Sequence, residues 1–326
     1  MRLLVPLDGT PFAESALPLA RSIARRADAE LVLVHAYEPP AAVGEWPGAA
    51  FGDPQTLHEI RRAAQDYLDD VVARTGAGRG VLLDGAPATA IHDAALEMDA
   101  DLVVMASHGR GGVARFVFGS TAESVVREGG VPVLVVPRSE AQLHDEAAAD
   151  PGARVDTREA PLPRHLLIAL DGSPEAETIL APAFALARLL GSEVTLVTVR
   201  DPGRDRAALL LPTSVLDTSR SDERVLADEG EPPPDERAYL DAVARRLAAD
   251  GWRAATRVLD GHPVVEQLLR GVQELGADWV AMSTHGRGLW GRLVEGSVAE
   301  AVLERVFMPV LLLRPIVTES DRAGES

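Results

Sequence analysis

The chain repeats itself, and that repeat constrains its fold more than any other feature. LLVPLDGTPFAESALPLARSIARR, from Leu3, lines up with LLIALDGSPEAETILAPAFALARL, from Leu166, at a constant offset of 163. The offset holds through ELVLVHAYEPP and EVTLVTVRDP, grows to 176 between Asp84 and Asp260, and reaches 177 where ASHGRGG meets STHGRGL. The second copy is therefore 13 residues longer between its second and third strands, with one more residue in the following helix. A period of about 165 residues lies far above that of solenoid units, so each copy should be a complete domain.

Within each copy the order of patterns is strand, helix, strand, loop, helix, strand, helix, strand, helix, strand. LVLVHA, DLVVMAS and VPVLVVP are continuous apolar runs, as parallel strands covered on both faces require. The expected class is α/β, with two doubly wound domains. Thr10-Pro11 and Ser173-Pro174 read as a hydroxyl N-cap followed by proline at the first helical position. Pro18 and Pro182, deeper in the same segments, should kink or restart those helices. The expected boundaries are a first domain over 1–138, a polar, acidic linker over 139–163, a second domain over 164–316 and a polar tail over 317–326. The excursion from Asp201 to Asp235 reads as a long surface loop.

Composition removes several function classes. The chain has no cysteine, which excludes disulfides, thiolate metal sites and cysteine nucleophiles. Its formal charge of −18 argues against a nucleic-acid surface, because phosphate backbones need a basic footprint. All 32 cationic residues are arginine, so neither a Walker A lysine nor a Schiff-base lysine is available. No apolar run approaches the roughly 20 residues of a membrane span. The sequence opens on the strand pattern MRLLVPLDGT without a basic-then-apolar leader, and the expected location is the cytoplasm.

In an open parallel sheet, ligands sit at the carboxyl ends of the strands where the strand order reverses. Asp8 and Asp171 end the first strand of each copy; MASHG and MSTHG end the fourth. A lysine-free loop holds phosphate through backbone N–H groups, which come close only where no Cβ intervenes. Gly109 and Gly286 supply that at the loop entrance. Nine residues later, Gly119-Ser120 and Gly296-Ser297 open a helix whose free N–H groups favour an anion. The same pairs also suit a simple turn followed by an N-cap. Asp8 and Asp171 suit a ribose hydroxyl, a metal held by phosphates, or a self-bonded Asp-Gly turn. His108 and His285 suit either a phosphate oxygen or a strand end, and Arg110 and Arg287 either phosphate or solvent.

LDGTP and LDGSP, GAP and GHP, ADLVVMASHGRGG and ADWVAMSTHGRG, GST and GSV, and the closing VPVLVVP and MPVLLLR together resemble the universal stress protein family. The resemblance covers nearly all of residues 1–137 and 164–315, in tandem. It implies flavodoxin-like five-stranded parallel sheets with strand order 3-2-1-4-5. It also implies that the two domains pair through Val131–Val136 and Met308–Leu313, which would cover an aggregation-prone edge. Members that bind ATP carry G-x-x-G, nine residues, then G-[ST]. Gly109 and Gly286 match the second glycine, and Gly119-Ser120 and Gly296-Ser297 match the final pair. The first glycine is Ala106 in one copy and Ser283 in the other, each adding a Cβ. Asp8 and Asp171 match the acidic position, and Ala36 and Val199 fall where the family's backbone meets adenine. Met105, Met282, Thr121 and Val298 flank these positions and complete the implied set. The resemblance thus implies a stress-response protein binding ATP, with Mg²⁺, in one or both domains. No residue stands out as a general base, so the expected turnover is slow or absent. The alternative is a non-nucleotide interaction protein, and whether two chains pair as a homodimer is left open.

Overall fold

The computed structural model describes residues 1–37, 54–106, 119–137, 158–201, 235–284 and 297–315. The first half contains β1 (Arg2–Leu7), α1 (Pro11–Glu14), α2 (Leu17–Ala27), β2 (Glu30–Tyr37), α3 (Pro54–Thr75), β3 (Arg79–Asp84), α4 (Pro87–Glu97), β4 (Leu102–Ala106), α5 (Ser120–Glu128) and β5 (Val133–Val136). The second half repeats the order with β6 (His165–Ala169), α6 (Pro174–Glu177), α7 (Leu180–Leu190), β7 (Glu193–Arg200), α8 (Glu236–Ala249), β8 (Ala255–Asp260), α9 (Val264–Leu275), β9 (Trp279–Ser283), α10 (Ser297–Leu303) and β10 (Val310–Leu313). The excursion 202–234, both HGRG loops, most of the linker and the tail lie outside the described residues.

Local signals act as the sequence predicts. Thr10 and Ser173 cap α1 and α6 by accepting hydrogen bonds from Ala13 N (3.2 Å) and Ala176 N (3.1 Å). The helix then stops and restarts at Leu17 and Leu180, placing Pro18 and Pro182 in the first turn of α2 and α7, where a missing N–H costs nothing.

Strand order in each half is 3-2-1-4-5, but the two halves do not form separate sheets. They join in one ten-stranded sheet, β3-β2-β1-β4-β5-β10-β9-β6-β7-β8. Pairing is parallel everywhere except at the seam, where β5 and β10 run antiparallel with Val133 opposite Leu312, Leu134 opposite Leu311 and Val135 opposite Val310. Leu134 and Leu311 are counterparts in the duplication, so a local two-fold axis passes between them. The merger follows from composition: β5 and β10 are fully apolar, and each removes the other's open edge.

Two apolar layers sandwich the sheet. α1–α3 and α6–α8 pack over one face, on Leu3, Val5, Leu33, Leu134, Leu166, Ile168, Leu196 and Leu311. α4, α5, α9 and α10 pack over the other, on Leu4, Val32, Val103, Val135, Leu167, Val197, Val280 and Val310. Both layers run unbroken across the seam. The end of the linker is also docked: Ala160 N donates to Pro18 O (3.2 Å), Ser22 Oγ donates to Ala160 O (2.6 Å), and Arg25 pairs with Glu159 (2.9 Å).

Candidate functional site

β1 lies between β2 and β4, and the chain leaves β1 toward one face of the sheet but reaches α5 from β4 on the other face. That reversal opens a crevice at the carboxyl ends of β1 and β4, and equally at β6 and β9. Asp8 directly follows β1, and Asp171 stands two residues beyond β6. Gly9 and Gly172 adopt φ of +82° and +84°, a left-handed conformation that turns the chain within one residue. Asp8 Oδ1 accepts from Thr10 N (2.9 Å) and Thr10 Oγ1 (2.5 Å), and Asp171 Oδ1 accepts from Ser173 N (3.0 Å) and Ser173 Oγ (2.5 Å). The self-bonded turn is therefore real, yet it uses only one carboxylate oxygen. Asp171 Oδ2 is buried without a hydrogen-bond partner, an arrangement that normally calls for a donor.

The remaining candidates fall at different depths along the same edge. Ala106 and Ser283 are the last residues of β4 and β9, and both are buried. Ala36 and Val199 are the penultimate residues of β2 and β7. Gly119 is extended (φ −63°, ψ 137°) and caps α5, with Ser120 exposed in its first position and Thr121 half-buried behind it; Ser297 opens α10. Met105, Met282 and Val298 belong to the apolar layer beneath the crevice. His108, Gly109, His285, Gly286 and Gly296, with Arg110 and Arg287, lie outside the described residues.

Beside each aspartate turn stands a polar group that the sequence reading missed. Glu14, at the end of α1 and only 6% exposed, accepts from Tyr67 Oη (3.1 Å) and from Arg74 Nη2 at both oxygens (3.1 and 3.2 Å). Asp70 Oδ2 holds Arg74 Nε (2.8 Å), and the His35 and Tyr67 rings meet edge-on at 5.9 Å. In the second half, Glu177 pairs with Arg246 and faces Tyr239, whose buried hydroxyl makes no well-formed hydrogen bond. The signal was available: YLDDVVAR from Tyr67 and YLDAVARR from Tyr239 share an offset of 172, between the two offsets traced along the strands.

These carboxylates change the titration of the phenols. Burial raises the Tyr67 pKa above its ordinary 10.0, and the negative charges of Glu14 and then Asp8 push it further the same way. Tyr239 is raised by burial, then by Glu177 and Asp171. A phenol whose folded pKa is raised contributes stability that is full below pH 10 and lost as pH rises through the folded value. The folded chain should therefore keep part of its tyrosine signal un-ionised above pH 10, and recover a normal titration in denaturant. A tyrosinate absorbance that ionises entirely near pH 10 in the folded chain would contradict this.

A model of the universal stress protein family matches residues 1–137 and again 163–314. The chain belongs to the universal stress protein family. A universal stress protein of Thermus aquaticus is 37% identical over 136 residues, covering 41% of this chain and 96% of that one. One from Mycobacterium tuberculosis is 30% identical over 229 residues, covering 66% of this chain and 62% of that protein. One from Mycolicibacterium smegmatis is 26% identical over 334 residues, covering 96% and 97%, so a relative with the tandem length exists. Among solved structures, a universal stress protein from Archaeoglobus fulgidus superposes with a TM-score of 0.63 at 17% identity, over 96% of this chain and 98% of that one; this is a likeness of fold.

Among the described residues, no helix is long and apolar enough to cross a membrane, and no group of three or more metal-ligating side chains converges.

Proposed function

We propose that this universal stress protein binds ATP, with Mg²⁺, at the carboxyl edge of the sheet in one or both halves, and turns it over slowly or not at all. One observation carries the reading. In each half the strand reversal gathers an aspartate turn, the small last residue of the fourth strand and the start of a helix on one edge. Free N–H groups at the start of α5 suit a phosphate, and the orphaned Asp171 Oδ2 suits a ribose hydroxyl donor. When bound, Mg²⁺ would supply charge neutralisation at the phosphates. The chain's own part is to orient the nucleotide: Ser120 offers a hydroxyl at the start of α5, and the aspartates receive the sugar. The same reading places this protein in the cytoplasm as a nucleotide-dependent partner in the stress response.

Equilibrium dialysis with ATP tests it on the unsubstituted chain and on a Gly119→Val, Gly296→Val double variant. Gly119 has an extended backbone that valine also adopts, so the substitution fills the cradle without straining the turn. The unsubstituted chain should retain nucleotide, and the double variant should lose at least about tenfold in affinity, the effect expected for side chains placed where backbone must meet phosphate. Retention by neither protein would instead favour a non-nucleotide interaction protein. That second reading draws on Ala106 and Ser283, whose Cβ atoms stand where ATP-binding relatives are expected to carry glycine.

A further inference from the structure

The two halves share a register across the seam, yet their ends are chemically unlike. α5 runs from the crevice of the first half back to the seam, where Gly129 is its C-cap. There Arg314, which follows β10 and belongs to the second half, donates from Nη1 to Arg127 O (2.6 Å), a carbonyl in the last turn of α5. Gly130 N donates back to Arg314 O (3.3 Å). The approach needs glycine: Gly129 has φ of +81°, and a Cβ built on it would stand 3.0 Å from Arg314 O. His92, on α4, holds the Gly129 carbonyl from the other side (3.2 Å to Nε2).

At the opposite end of the seam the equivalent positions carry other residues. The counterpart of Arg314 is Pro137, which has no side-chain donor, and the counterparts of Gly129 and Gly130 are Val306 and Phe307. A cation on the terminal carbonyls of a helix is stabilising. Strand pairing is thus symmetric across the seam, whereas the Arg314 guanidinium contact to the Arg127 carbonyl has no equivalent side chain at Pro137.

From this we infer that Arg314 is a positioning residue for the ligand site of the first half, supplied across the seam by the second half. α5 has its N-terminus at the crevice, so whatever fixes its C-terminus also fixes where its free N–H groups and Ser120 point. If the pose is held only part of the time, apparent affinity falls by that fraction. The inference rests on the nucleotide-binding reading for its consequence, but the anchoring can be observed without any ligand.

The test uses the full chain and Arg314→Ala, in two backgrounds. With the second site disabled by Gly296→Val, Arg314→Ala should weaken ATP binding about tenfold, as when the competent pose drops to about a tenth. With the first site disabled by Gly119→Val, it should leave ATP binding unchanged. Arg314→Lys, which keeps a cationic donor, should restore part of the loss. Separately, hydrogen exchange without nucleotide should speed up at Val125–Glu128 in Arg314→Ala and stay unchanged in α10. Equal weakening in both backgrounds, or unchanged exchange in α5, overturns the inference. Absence of ATP binding in the unsubstituted chain overturns the nucleotide reading instead, and the exchange result then decides the anchoring alone.

Discussion

Leu311→Asp is expected to lower stability by about 4 kcal/mol or more, since an uncompensated carboxylate would be buried between two apolar layers. Leu311 and its opposite number Leu134 are both fully buried, and Leu311 sits in the layer that runs through both halves. A second prediction separates charge from size at the same place. Leu311→Ala removes the packing alone and should cost about 2–5 kcal/mol, as truncations of buried leucine do. Urea unfolding measures both. Because the two apolar layers cross the seam without a break, the unsubstituted chain should unfold in a single transition, and Leu311→Asp should split it. If Leu311→Asp costs no more than Leu311→Ala, the seam is wetter than the packing implies.

Trp279 gives the other large effect. It is fully buried in β9, the largest side chain with no exposure among the described residues, and its Nε1 has no hydrogen-bond partner among them. Trp279→Ala should cost about 3–5 kcal/mol through the cavity it leaves. Trp279→Phe should cost no more than about 2 kcal/mol, because losing part of the ring is offset by removing a buried donor that is unsatisfied. The duplication supports this asymmetry: the position equivalent to Trp279 in the first half is Leu102, an apolar residue with no donor to satisfy. A Trp279→Phe cost matching that of Trp279→Ala would show that the indole N–H has a partner after all.

What the sequence made legible follows from how local each signal is. Thr10-Pro11 and Ser173-Pro174 specify a cap and an entry angle within four residues, so the helix starts could be read directly. Pro18 and Pro182 announced the restart for the same reason. The α/β class was written in the continuous apolar strands, and the strand order came from the family resemblance. Which edges meet, Val131–Val136 and Met308–Leu313, also came with the resemblance, whereas the antiparallel register that sets Leu134 opposite Leu311 is not fixed by apolar character alone. The Glu14–Tyr67–Arg74 group is hard to read because its members are 53 and 60 residues from the glutamate, on a helix whose offset of 172 matches neither strand offset. The Arg314 clamp is less legible still. Its donor and acceptor are separated by 187 positions and lie in different copies, so only the folded seam brings them together.

The seam also sets a timetable for synthesis. β5 is complete at Val136, but its partner β10 ends at Leu313, 177 residues later. At roughly 5–20 residues per second, the nascent first half waits on the order of 10–35 s with an apolar edge and no strand to cover it. During that interval the edge is open to a neighbouring nascent chain, most readily to β5 of another copy on the same message, since Leu134 would then face its own twin. Ribosome spacing and translation rate thus bear on the yield of this chain, even though nothing in the finished fold records the wait.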